Sequence, residues 1–193
     1  MANERPSKRD PGKPEQRKLE EMLLYIARRT EGDPSCGKTK LNKIFFYADF
    51  EAYRSLGRSI SGCTYRKQPY GPVPAELRSA VTAMEERRDC AWATRDYFGR
   101  DLEKLVALRE PDLQDFTSEE IALIHRVIQS LEKYNATEVS DLSHQFVGWQ
   151  IAEQGEEIPY ETVFVAPAQP LTDDESSWLI EAVEEFREQS LPS

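Results

Sequence analysis

Residues 38–78 read KTKLNKIFFYADFEAYRSLGRSISGCTYRKQPYGPVPAELR, and their pattern decides how the chain folds. From Thr39 to Leu56 the spacing predicts one helix, with Leu41, Ile44, Phe45, Ala48, Ala52 and Leu56 on one face. Phe46, Phe50 and Tyr53 add a second apolar stripe beside the first. A helix apolar on two faces belongs among other elements rather than on a surface, so Phe45 is expected in the core. About 18 residues at 1.5 Å rise run roughly 27 Å, the width of a small domain. Gly57 supplies the left-handed residue that ends such a helix. Ser59 to Arg66 then reads as a strand leading into Tyr70-Gly71-Pro72-Val73-Pro74, a turn in which prolines fix φ and Gly71 bends. Pro74 suits the first position of a further helix.

Outward from this stretch the chain is mainly helical. Pro14 to Thr30 places Leu19, Met22, Leu23 and Ile26 on one side and is stopped by Gly32-Asp33-Pro34. Pro74 to Arg88 repeats the pattern with Leu77, Val81 and Met84. Cys90 to Phe98 alternates as a strand, Gly99-Arg100-Asp101 turns, and Glu103 to Leu108 returns as its hairpin partner. With residues 59–67 these form a small antiparallel sheet of two or three strands. Thr117-Ser118-Glu119-Glu120 starts a helix carried by Ile121, Ile124, Val127, Ile128, Leu131 and Tyr134. Ala136-Thr137-Glu138 starts a shorter one, Gly148 to Ala152 adds a turn or two, and Thr162 to Val165 reads as a short strand. Thr172 to Glu175 caps a last helix with Trp178, Leu179, Ala182, Val183 and Phe186 on its apolar side. The expected class is α+β, predominantly helical: about six helices around a buried central helix (39–56). Residues 1–13 read as a disordered, slightly basic tail and 14–193 as a single domain.

Gly32-Asp-Pro-Ser-Cys-Gly-Lys38-Thr39 fits G-x-x-x-x-G-K-[ST], the phosphate-cradling loop of nucleotide hydrolases. That chemistry needs a buried strand before the loop and free backbone N–H groups around the phosphate. Here the preceding residues have helical periodicity and Pro34 removes a donor, so the better reading is a helix–loop–helix connection with Thr39 near a cap.

Charge divides the chain. Residues 1–109 carry 22 Lys+Arg and 16 Asp+Glu, residues 110–193 carry 3 and 19, balances of +6 and −16. Acidic surfaces repel nucleic acid and favour basic partners. Cys36, Cys63 and Cys90 have no C-x-x-C pairing and read as reduced thiols of a cytoplasmic protein, with no metal site. Apolar runs fall short of the ~18 residues that span a bilayer, and residues 1–18 lack a secretory h-region. With only His125 and His144, no coherent catalytic set emerges, and no cofactor is implied.

The helix motif Lys40-Leu41-x-Lys43-x-x-x-Tyr47, the Gly at its end, and Tyr70 to Pro74 together resemble the Panacea domain of SocA-like antitoxins. Leu142-Ser143-His144, Gly148-Trp149 and Ile158-Pro159 look like the C-terminal signature of that family, so the resemblance runs from about Gln16 to Tyr160. The family commonly has Trp-x-x-Gly-Pro; here Tyr70 directly precedes the glycine, and either Tyr65 or Tyr70 fills the aromatic place. The resemblance implies a non-enzymatic antitoxin of a bacterial or phage toxin–antitoxin pair, with a cognate toxin as partner. In some members it also implies an adaptor role that hands the toxin to a protease. The residues singled out for partner binding are Lys40, Lys43, Tyr47, Arg66, Tyr70, Gly71, Pro72 and Val73, with the Lys43 ammonium expected to reach solvent. The alternatives are a DNA-binding repressor of its own operon, using the basic N-terminal portion, and the nucleotide hydrolase.

Overall fold

The computed structural model describes residues 16–165. The tail at 1–13 and the helix expected near 172–186 lie outside the described residues. Helix α1 (Gln16–Arg29) and helix α2 (Lys38–Leu56) are joined by the 30–37 loop. Two short strands come next, β1 (Tyr65–Arg66) and β2 (Val73–Pro74), then α3 (Leu77–Glu86). The hairpin β3 (Cys90–Tyr97) and β4 (Arg100–Ala107) precedes α4 (Ser118–Leu131), α5 (Ala136–His144), α6 (Val147–Ile151) and a 3-10 helix, Tyr160–Phe164. The class is α+β and mostly helical, as the periodicities indicate.

Helix α2 is the hub. It packs against α4, α5, the 3-10 helix, β2 and β4. Its Ile44, Phe45, Phe46, Ala48 and Ala52 are fully buried. Phe46 and Phe50 form an aromatic cluster with Tyr65, Phe146 and, at Phe50, Tyr160. Gly57 ends the helix at φ +71°, donating its N–H to Tyr53 O. Two helix starts close as capping boxes, Thr117 with Glu120 and Asn135 with Glu138, each satisfying N–H groups that a helix cannot bond itself. Glu120 does more: both its oxygens take the buried Lys18 ammonium at 2.8 Å, tying α1 to the start of α4.

Four local expectations change. The 59–67 run does not join the hairpin; there are two separate two-stranded sheets, β1 with β2 and β3 with β4. Most of that run is not strand, because a buried carboxylate competes for its backbone. Asp49 of α2 accepts the N–H groups of Ile60 and Ser61 at 2.9 and 2.8 Å, the Ser61 hydroxyl, and the Tyr65 hydroxyl at 2.7 Å. Pro74 does not open α3: it is paired with Tyr65 in the small sheet, and the helix begins at Leu77. The hairpin turns one residue earlier than read, at Phe98-Gly99, both with positive φ (+52° and +74°). Thr162 to Phe164 lie in the 3-10 turn and Val165 follows it, with Thr162 bonding back to Pro159 O through both its N–H and its hydroxyl.

Candidate functional site

The Tyr70–Pro74 turn is built by two distant parts of the chain. From below, Lys43 of α2 is 1% exposed and its Nζ donates to Pro72 O at 2.9 Å. Gly71 lies directly over this ammonium. A Cβ built there would fall 2.9 Å from Lys43 Nζ and 2.1 Å from Ser143 Oγ, and φ is +95°. Only glycine meets both conditions. Ser143 is itself fully buried, donating to Ser140 O inside α5. From the side, Trp149 Nε1 donates to Gln68 O, and Lys67 Nζ lies 4.3 Å from the Trp149 ring centroid while donating to Ala152 O. His144 stacks on the other part of this assembly, 4.1 Å from the Trp149 ring and near-parallel at 18°. Backbone bonds complete it: Gly71 N to Gln68 O, Lys67 N to Glu156 O and Ile158 N to Tyr65 O.

What emerges at the surface is small. Tyr70 is 73% exposed, Arg66 is exposed with one Nη on Gly155 O, and Val73 is half-buried. Gly71 and Pro72 are buried in the turn itself. Tyr65 faces inward, its hydroxyl on Asp49, so the exposed aromatic of the pair is Tyr70.

The other residues singled out from sequence lie elsewhere. Lys40, one turn before Lys43, is equally buried but serves the 30–37 loop. Its Nζ donates to Asp33 Oδ2 at 2.6 Å, Ser35 Oγ at 3.1 Å, Glu132 O at 3.0 Å and Tyr134 O at 2.7 Å. A second buried lysine, Lys104 of β4, caps the carbonyls of Thr30, Glu31 and Asp33 from the other side. Tyr47 lines an apolar groove of about 710 Å³ between α2, α4 and α5, where burial pushes its phenol up to about 12.

The expectation that Lys43 reaches solvent is therefore wrong. Helix α2 is covered on that side by the turn and α5, and the four-carbon stem is too enclosed to snorkel. Burial, with no carboxylate among the described residues bonded to the ammonium, pushes the Lys43 pKa down to about 7. Asp33, beside Lys40, is different. Burial raises its pKa, but the bonds from Lys40 and Ser35 outweigh that and hold it below the usual carboxylate value.

The loop that matches the phosphate-cradling motif has several of its polar groups turned inward on itself. Ser35 N and Oγ bond Asp33 Oδ1, Cys36 N bonds Asp33 O and Gly37 N bonds Ser35 O. The element before it is a helix, not a strand, and Lys38 points away to Glu103 (4.0 Å) and the Trp92 ring. The three thiols are all free and buried, and burial raises the pKa of each, which disfavours the reactive thiolate. Among the described residues no three His, Cys, Asp or Glu side chains are grouped to hold a metal ion, and no helix is long and apolar enough to cross a membrane.

Sequence reasoning missed the buried partners. Asp33, Asp49, Glu120 and Lys104 carry no local sign of burial, and only the nearness of Asp33 as a carboxylate for Lys40 could have pointed to that pair. No characterised protein and no solved structure matches the chain significantly. A family model does: "Antitoxin SocA-like, Panacea domain" matches residues 41–150. That span runs from the buried lysine helix through the turn to the Trp149 that flanks it. The chain belongs to the SocA-like antitoxin family and carries its Panacea domain.

Proposed function

We propose that this protein neutralises a cognate toxin by direct contact, using the exposed face of the Tyr70 turn. The observation that carries this is the family match over residues 41–150, which takes in both the turn and its supports. The geometry supports the choice of surface. A solvent-exposed aromatic on a rigidly held turn, flanked by Arg66, has the composition of an interface anchor, and little side-chain entropy is lost on docking. Lys43, Gly71 and Pro72 then act as positioning residues, and Lys40 and Tyr47 contribute through the fold and the neighbouring groove. Three buried free thiols fit a reducing, cytoplasmic setting.

An adaptor that delivers the toxin to a protease uses the same contact and differs only in the fate of the bound toxin. A DNA-binding autorepressor is disfavoured: Lys40 and Lys43, two of the lysines it would place on phosphates, are buried. The test is co-expression with the protein encoded by the adjacent gene, in normal and protease-deficient hosts. Rescue in both hosts means blocking, and rescue only in the normal host means delivery. Tyr70→Ala is expected to melt like the wild type and lose rescue. A neighbour that is harmless alone, or still toxic beside the wild-type protein, removes the basis of this reading.

A further inference from the structure

We propose that a cleft between α2, the β1–β2 pair, α3 and β3 binds an organic phosphate. The cleft holds about 470 Å³, within the range that takes a small ligand. Lys38, Arg66 and Arg78 line it, each from a different element, and among the described residues no carboxylate does. The acid that comes within ion-pair reach of these cations is Glu103, 4.0 Å from Lys38 Nζ. The apolar side of the cleft is formed by Val73, Leu77 and Val81, with Trp92 at one wall.

The second observation is Asn42. This residue of α2 is 8% exposed, lines the cleft, and its Oδ1 is buried without a hydrogen-bond partner among the described residues. An amide oxygen left so in the protein interior has given up its water without a replacement, a loss that a ligand N–H or O–H donor would recover. Three cations suit a doubly charged phosphate better than a single carboxylate, since each charge-assisted bond needs its own acceptor oxygen. The ligand that fits all of these is a phosphate on a flat or apolar body with a hydrogen-bond donor, as in a nucleoside monophosphate. Lys38, the lysine of the motif that resembles a phosphate loop, thus serves phosphate in a different cleft from the one the motif implies. The cleft shares Arg66 and Val73 with the face proposed to meet the toxin, but its assignment does not rest on that reading.

The test is calorimetric titration of the full chain with AMP, with adenosine and inorganic phosphate as separate arms. AMP is expected to bind at least about tenfold more tightly than either part alone. Arg78→Ala, on the exposed face of α3, and Asn42→Leu are each expected to weaken AMP binding about tenfold or more. Asn42→Leu should also melt no lower than the wild type, because it removes an unpaired polar atom. Should Asn42→Leu fail to fold, Arg78→Ala decides alone. Absence of AMP binding, AMP binding unchanged in the variants, or phosphate alone binding as well as AMP each overturns the proposal.

Discussion

Lys40 and Lys43 sit one turn apart on the same helix, are equally buried, and are held in opposite ways. Lys40 has a carboxylate and three further acceptors, so its charge is matched and the 30–37 loop is locked around it. Among the described residues Lys43 has one carbonyl, Pro72 O, and no bonded counter-charge, so its proton is loosely held. The difference teaches where this fold spends its rigidity. A paired buried charge is a clamp whose loss is costly. An unpaired one is a prop that tolerates losing its charge, and it stands under the turn that carries Tyr70.

The largest effect should come from breaking the clamp. Asp33→Ala leaves the Lys40 ammonium buried without its carboxylate and is expected to cost about 3–5 kcal/mol, read by urea unfolding. Acid acts on the same pair. The depressed Asp33 pKa contributes stability that is present above its unfolded value of 3.8 and is lost as pH falls through the folded one. Unfolding at low pH should therefore be steeper in the wild type than in Asp33→Ala. Next in size is Gly71→Ala above the prop: the positive φ alone costs about 1–3 kcal/mol, and the contact with Ser143 adds to it. Its melting temperature should fall and rescue of the toxin partner should fall with it. The smallest effect is the counterpart in the clamped loop. Gly32→Ala meets nothing within 4 Å and should change stability by less than about 0.5 kcal/mol. A large loss there would mean that the loop is packed more tightly than its bonds indicate.

The same contrast explains what is legible in the sequence. Apolar spacing places α1, α2 and α4, because burying a stripe of Leu, Ile and Phe is a local decision that the 3.6-residue period records. Gly57 and the Thr117–Glu120 box are legible for the same reason, since each satisfies backbone groups of its own helix. Ser59 to Arg66 misleads because Asp49, a residue of another element, takes its N–H groups. Lysine's partner is likewise set by tertiary structure: nothing local distinguishes Lys40, met by Asp33 seven residues away and by two carbonyls more than 90 residues away, from Lys43. The turn at 70–74 is visible as a motif, whereas its supports Ser143 and Trp149 are visible only as a separate one. Their meeting is a property of the fold.

The contrast is tested most directly by the unfolding free energy as a function of pH, between 7 and 9, for the wild type and Lys43→Met. An amine whose folded pKa is near 7 binds its proton more weakly than the same amine in the unfolded chain, whose value is 10.5. Across that window the unfolded state holds more protons, so stability should rise with pH, by at most about 1.4 kcal/mol per unit. Lys43→Met removes that group and should flatten the rise. Equal slopes in the two proteins would mean that Lys43 keeps its charge across this range, and the division between clamp and prop would fail.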